Sequence, residues 1–172
     1  FFIRQNKKLG TAHAIYLTRK LIKTKYVVTV WCDQILFTKN TLNKCINSIS
    51  KNNKFLVFPS VQMKKPYLKF VKKNNIIKKV QYSIYSRNLI KSGEKDCGIF
   101  FFDSKILFKT IESVTLKKLI PAKSKETNLL EILPIYYKKY NKMMIERIKL
   151  DNVYESYGIN NQKELKRAFK YI

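Results

Sequence analysis

Few residues in this chain could do chemistry, and the scarcity makes each easy to weigh. Among 172 residues there are 11 Asp and Glu, one His and three Cys, against 36 Lys and Arg. Asp33 ends the apolar run Val27-Val28-Thr29-Val30-Trp31-Cys32. In open α/β sheets ligands bind beyond the carboxyl ends of strands. A lone carboxylate there suits Mg²⁺, which takes one or two protein oxygens and fills its shell from phosphates and water. An Asp that only turns the chain from strand to helix has the same position.

Two further segments carry polar groups at junctions. Gln5-Asn6-Lys7-Lys8-Leu9-Gly10-Thr11-Ala12-His13-Ala14 leads into a helical pattern. Gly10 permits close backbone approach to a ligand, Thr11 can cap a helix whose N-terminus favours anions, and the Gln5 amide can pair with a base edge. A plain strand–loop–helix junction is the simpler account, with His13 a packing or hydrogen-bonding residue. Tyr157-Gly158-Ile159-Asn160-Asn161 precedes the last helix. There an Asn carbonyl can complete a magnesium shell, while Asn161, with Glu164 three residues on, suits an N-cap. Cys32, Cys45 and Cys97 form no CxxC pair and have no His beside them, so core packing in a reducing compartment suits them better than zinc.

The elements that must position these residues alternate. Phe1–Arg4 reads as a short strand, 11–22 as a helix with apolar residues at 14, 15, 17, 21 and 22, and 25–31 as a strand buried on both faces. Thr38 caps the next helix. Lys54–Val61 reads as a buried strand whose Pro59 implies an edge, a bulge or a strand end. Asn74-Asn75 joins a hairpin. Gly98–Phe102 is a strand leading into a helix that runs to about Glu112. After a polar stretch at 121–128 come a helix over 129–140, a strand over 143–149 and a final helix over 162–171. This order predicts one α/β domain over residues 1–172: a mixed, mostly parallel Rossmann-like sheet flanked by helices, with an antiparallel hairpin inserted.

Composition excludes some functions. No run approaches the ~18 apolar residues of a membrane span, and 45% hydrophobic residues are too many for a disordered tail. The net charge of +25 invites nucleic acid. However, 31 of the 36 cations are Lys, spread over every segment and enriched together with 14 Asn and 20 Ile. That is the signature of an AT-rich coding sequence. Arg, the better bidentate reader of phosphate and base, is scarce.

In order, QNKKLGTAHA, WCDQILF and YESYGINNQKEL resemble the sugar-phosphate nucleotidyltransferase family, nearest its uridylyltransferase branch that forms UDP-N-acetylglucosamine. The resemblance runs through essentially the whole chain and implies a cytoplasmic enzyme of cell-wall precursor synthesis. It would use Mg²⁺, UTP and a sugar 1-phosphate, with no specific nucleic acid and no membrane, and could form oligomers at full length. Carried over, Gln5 contacts uracil, Gly10 and Thr11 the nucleotide, Asp33 is catalytic and binds nucleotide and metal, and Asn160 is the second metal ligand. Asp96 takes the place of a sugar-binding Asn. The family's Gly-rich triphosphate loop and its C-terminal β-helix have no counterpart in these residues, which implies a domain without its N-terminal portion and little turnover by this stretch alone. Pro66-Tyr67-Leu68-Lys69-Phe70 stands where the family has Gly-Tyr-Gly-Arg-Ile, and Tyr82 stands at its sugar-binding Glu. Two other readings follow: a degenerate, non-catalytic nucleotide binder, and a basic nucleic-acid-binding module.

Overall fold

The computed structural model describes residues 1–83, 89–117 and 126–171, with side chains of 115–117 left aside. Most of the expected 121–128 stretch lies outside the described residues. Helix α1 (Thr11–Leu17) is followed by strand β1 (Tyr26–Val30), α2 (Lys39–Lys51), β2 (Leu56–Lys64), the hairpin β3 (Leu68–Lys73) and β4 (Ile76–Tyr82), then β5 (Ser92–Asp96) and β6 (Ile99–Asp103). Next come α3 (Ser104–Lys117), α4 (Leu129–Lys139), β7 (Ile145–Leu150) and α5 (Gln162–Ala168).

The main sheet is built on β2. It pairs parallel with β7 on one side and antiparallel with β6, then β5, on the other, and β6 pairs antiparallel with β1. Strands β1, β2 and β7 therefore share one direction, and β5 and β6 run against it. The expected mixed α/β sheet is present, and three of its five strands run the same way.

Pro59 lies inside β2 rather than at its end. Strand β6 pairs with Leu56 and Val57, and β5 takes over at Ser60. Pro59 occupies the handover, where its missing N–H interrupts no ladder, and its carbonyl accepts from the Cys97 N–H at 3.2 Å.

Both faces of the sheet are covered along β2 and β6. Leu56, Phe58, Phe100 and Phe102 pack with α3, α4 and the hairpin. Val57, Ile99 and Phe101 face Cys45 and Ile49 of α2. Helix α2 starts at Thr38, whose Oγ1 accepts from the Thr41 N–H at 3.1 Å. The β3–β4 turn sets Asn74 and Asn75 at φ 50° and 63°, the left-handed region that Asn tolerates.

Three expectations fail, the first at Cys32, which is exposed just past the end of β1 while Cys45 and Cys97 pack in the core as expected. Phe1–Arg4 forms no strand, and Phe1 and Phe2 are fully exposed. Strand β1 is not buried on both faces: its only ladder among the described residues is to β6, and Val28 and Val30 are about half exposed, at 47% and 48%. An apolar, β-branched run reads alike whether or not a neighbour covers it.

Candidate active site

A cleft of about 740 Å³ opens where β1 ends. Trp31, Asp33 and Gln34 line it from the β1 end, Met63 and Lys64 from the end of β2, Lys65 and Tyr67 from the β2–β3 turn, and Lys95 from β5. The segment 156–160 and Glu164, Arg167 and Ala168 of α5 close the far side. Asp33 and Asn160, 127 positions apart in the chain, thus line one cleft.

Local chemistry brings them together. The Asp33 carbonyl accepts from the Ile159 N–H at 2.9 Å, tying the β1 end to the loop before α5. A Cβ on Gly158 would sit 2.6 Å from Asp33 Oδ2, so only glycine lets the carboxylate lie against this backbone. Gln34 suits the same corner: with its amide turned so that nitrogen faces acceptor and oxygen faces donor, it donates to the Cys97 carbonyl at 2.7 Å and accepts from the Gly158 N–H at 3.2 Å. Asn161 caps α5, its Oδ1 accepting from the Glu164 N–H at 3.0 Å. Glu164 reaches back to the Asn160 N–H at 2.6 Å, one residue earlier than a capping box would have it. Hydrogen bonds, first that from the Asn160 N–H, hold the Glu164 carboxyl below its ordinary range.

The other sequence candidates lie elsewhere. Gly10 and Thr11 are not among the residues lining this cleft. Gly10 has φ 89°, and a Cβ there would come within 2.4 Å of the Thr127 carbonyl oxygen, so its packing partner is the backbone before α4. Thr11 Oγ1 accepts from the Leu129 N–H at 2.9 Å, capping α4 instead of its own helix. The Gln5 amide donates to the Gly10 carbonyl at 3.1 Å and pairs with His13 Nδ1 at 2.9 Å. Asp96 is buried, with Oδ2 accepting from the Gly98 N–H at 2.8 Å and Oδ1 unpartnered. Burial pushes its carboxyl upward, against the pull of Lys95. It lies one residue beyond the cleft-lining Lys95 and does not line the cleft itself.

Sequence reasoning did not single out Lys95, Trp31 or Arg167. Arg167 lies with its guanidinium 4.8 Å from the Tyr157 ring centroid at the cleft edge. For Lys95 the one signal was a lysine between two acids in a short polar stretch, which reads as a loop.

Asp33 and Asn160 offer a carboxylate and an amide oxygen, hard donors of the kind Mg²⁺ takes, and Gly158 leaves the carboxylate room. Among the described residues no cluster of three or more His, Cys, Asp or Glu could hold a metal by itself. A cation here would draw the rest of its shell from ligand and water.

No known family profile matches the chain. The bifunctional protein GlmU of Pseudothermotoga lettingae is 27% identical over 180 aligned positions, which cover 98% of this chain and 36% of that protein. A candidate glucose-1-phosphate thymidylyltransferase of Bacillus anthracis superposes with a TM-score of 0.65 at 18% identity, over 95% of this chain and 61% of that one. HddC of Yersinia pseudotuberculosis, solved with GMP-PN, gives 0.59 at 15%, over 98% and 65%. The 4-diphosphocytidyl-2C-methyl-D-erythritol synthase of Anaerococcus prevotii gives 0.59 at 12%, over 93% and 65%. The chain thus spans about a third of GlmU and under two thirds of each solved relative. In sequence the chain is similar to GlmU, and it shares its fold with these three solved proteins.

Proposed function

We propose that the chain carries the metal- and nucleotide-facing part of a cytoplasmic sugar-phosphate nucleotidyltransferase. In this reading the phosphate oxygen of N-acetylglucosamine 1-phosphate attacks the α-phosphorus of UTP. The α–β phosphoanhydride bond breaks, and pyrophosphate leaves with the electron pair, giving UDP-N-acetylglucosamine.

The observation that carries the reading is the shared cleft of Asp33 and Asn160, pinned by the Asp33–Ile159 backbone bond and the Gly158 approach. These two residues would hold Mg²⁺, which would offset phosphate charge as the new bond forms. Trp31 and Tyr67 line the walls with aromatic surface fit for a sugar or a base. Gln5, Gly10 and Thr11 are assigned to the nucleotide by resemblance.

Calorimetric titration with UTP, with and without Mg²⁺, tests the assignment. Binding should tighten with Mg²⁺, and in its presence weaken about tenfold or more in Asp33→Asn, a loss of ~1.4 kcal/mol, with an unchanged circular dichroism spectrum. Equal affinity in the variant would sink it. A non-catalytic nucleotide binder is favoured by one observation: Asp96, at the sugar-binding position, turns its carboxylate back onto Gly98. Release of pyrophosphate from UTP and N-acetylglucosamine 1-phosphate separates the two readings.

A further inference from the structure

Lys95 is an unusual lysine. It is only 3% exposed, yet it lines the cleft. Its Nζ donates to the Ser156 carbonyl at 2.9 Å and lies 4.9 Å from the Tyr67 ring centroid. Neither neighbour is an anion, and among the described residues no carboxylate stands at ion-pairing distance from it. An ammonium carries three donors, and a carbonyl and a ring face leave this one under-used. A buried charge normally has a paired counter-ion, because its lost hydration is otherwise uncompensated.

The nearby acids do not fill that place. Asp96 directs Oδ2 at the Gly98 N–H, and Asp33 lies against Gly158. The cleft as a whole favours an anion: Lys64, Lys65, Lys95 and Arg167 line it against Asp33 and Glu164, and Glu164 is engaged with Asn160 and Asn161. Lys64, Lys65 and Arg167 are exposed at the rim, where they draw anions in from solution, while Lys95 is the buried cation.

We propose that Lys95 is the phosphate-receiving residue of this cleft, its Nζ giving a substrate phosphate the hydrogen bonds that Ser156 and Tyr67 leave unused. The inference deepens the nucleotidyl-transfer reading and rests on it for the substrate class, a phosphate ester or anhydride. The affinity itself is a property of the chain without metal. Charge-assisted bonds from an ammonium to a phosphate oxygen are strong and specific in position, which distinguishes them from the diffuse attraction of a surface with net charge +25.

The test is calorimetric titration of the whole chain with inorganic pyrophosphate, in a chelating buffer without Mg²⁺ and at 150 mM salt, roughly physiological strength. Lys95→Met keeps a long side chain and removes the charge, and should weaken binding by about tenfold or more. Lys95→Arg keeps charge and donors and should restore most of the affinity. Lys51→Met, an exposed change at the end of α2 outside the cleft, should leave it unaltered and so removes bulk charge as an explanation.

Unchanged affinity in Lys95→Met overturns the proposal, as does equal loss in Lys51→Met. Absence of pyrophosphate binding while Mg²⁺-dependent UTP binding persists overturns it and spares the functional reading. Loss in Lys95→Met with recovery in Lys95→Arg supports it, even where UTP does not bind and the functional reading falls.

Discussion

Strands β5 and β6 lie end to end along the same edge of β2, and each buries most of its length by opposite means. Strand β6, Ile-Phe-Phe-Phe-Asp, buries aromatic rings in two cores, one on each face of the sheet. Strand β5, Ser-Gly-Glu-Lys-Asp, buries Glu94, Lys95 and Asp96. Removal of apolar area from water holds the first. The second needs a partner for each polar group, which it only partly has. Glu94 is well served: Ser60 Oγ donates to it at 2.8 Å, Lys72 pairs with it, and Arg147 stands 3.2 Å away. Lys95 and Asp96 are not. Self-sufficient polar burial holds structure, and incomplete polar burial marks where a ligand would help.

The largest effect should come from breaking the apolar side. Phe102 is fully buried, with rings of Phe100 and Tyr136 at 6.1 and 6.0 Å. Phe102→Ala should destabilise by about 3–5 kcal/mol, transfer and cavity costs together, read as a lower denaturant midpoint. A loss below ~1 kcal/mol would mean that the strand is not held by its rings.

The next largest should come from Glu94. Burial pushes this carboxyl up, but hydrogen bonds from Lys72 and Ser60 and the charges of Arg147 and Lys72 outweigh it, so the net shift is downward. A carboxyl lowered on folding adds stability that is present above its unfolded value, near 4.5, and lost as pH falls through the folded value. Glu94→Gln should cost about 3 kcal/mol at neutral pH, because the Arg147 side chain, 4% exposed, keeps a buried charge without its counter-charge. It should also flatten the loss of stability in acid between pH ~4.5 and lower values. An acid limb as steep as that of the parent chain would show that Glu94 does not carry it.

Legibility divides along the same line. Strand β6 could be read because apolar runs between turn signals mean buried strand, and the Asp33 corner because a carboxylate after such a run is a recognisable junction. The hairpin at Asn74-Asn75 and the caps at Thr38 and Asn161 could be read because each rests on local backbone chemistry. Strand β5 could not, since a five-residue polar run becomes a strand only when Ser60, Lys72 and Arg147, distant in sequence, reach it. Lys95 was hidden for the same reason. The loop at Gly10 and Thr11 offered a true local signal, a flexible glycine and a capping hydroxyl, but both serve the Thr127–Leu129 backbone. Which helix a hydroxyl caps is a tertiary fact. Phe1–Arg4 and the faces of β1 show the reverse failure, apolar character with too little to cover it.

The smallest effect tests whether polar burial can be complete without opposed charges. Glu155, 4% exposed, accepts from the Thr38 N–H at 2.9 Å and from Thr38 Oγ1 at 3.2 Å. Thr38 also caps α2 through the Thr41 N–H. One side chain thus satisfies a helix terminus and a buried carboxylate, and links α2 to the turn that leads toward Asn160. Thr38→Ala removes the hydroxyl from both bonds and leaves the backbone N–H to Glu155 in place. The loss should be about 1–2 kcal/mol, the usual cost of an N-cap, with little further penalty because the carboxylate keeps a donor. Thr38→Ser, which retains the hydroxyl, should recover most of it in the same thermal denaturation. If the serine variant is as unstable as the alanine one, the threonine methyl and not the capping oxygen holds this corner, and here the apolar side of the comparison prevails after all.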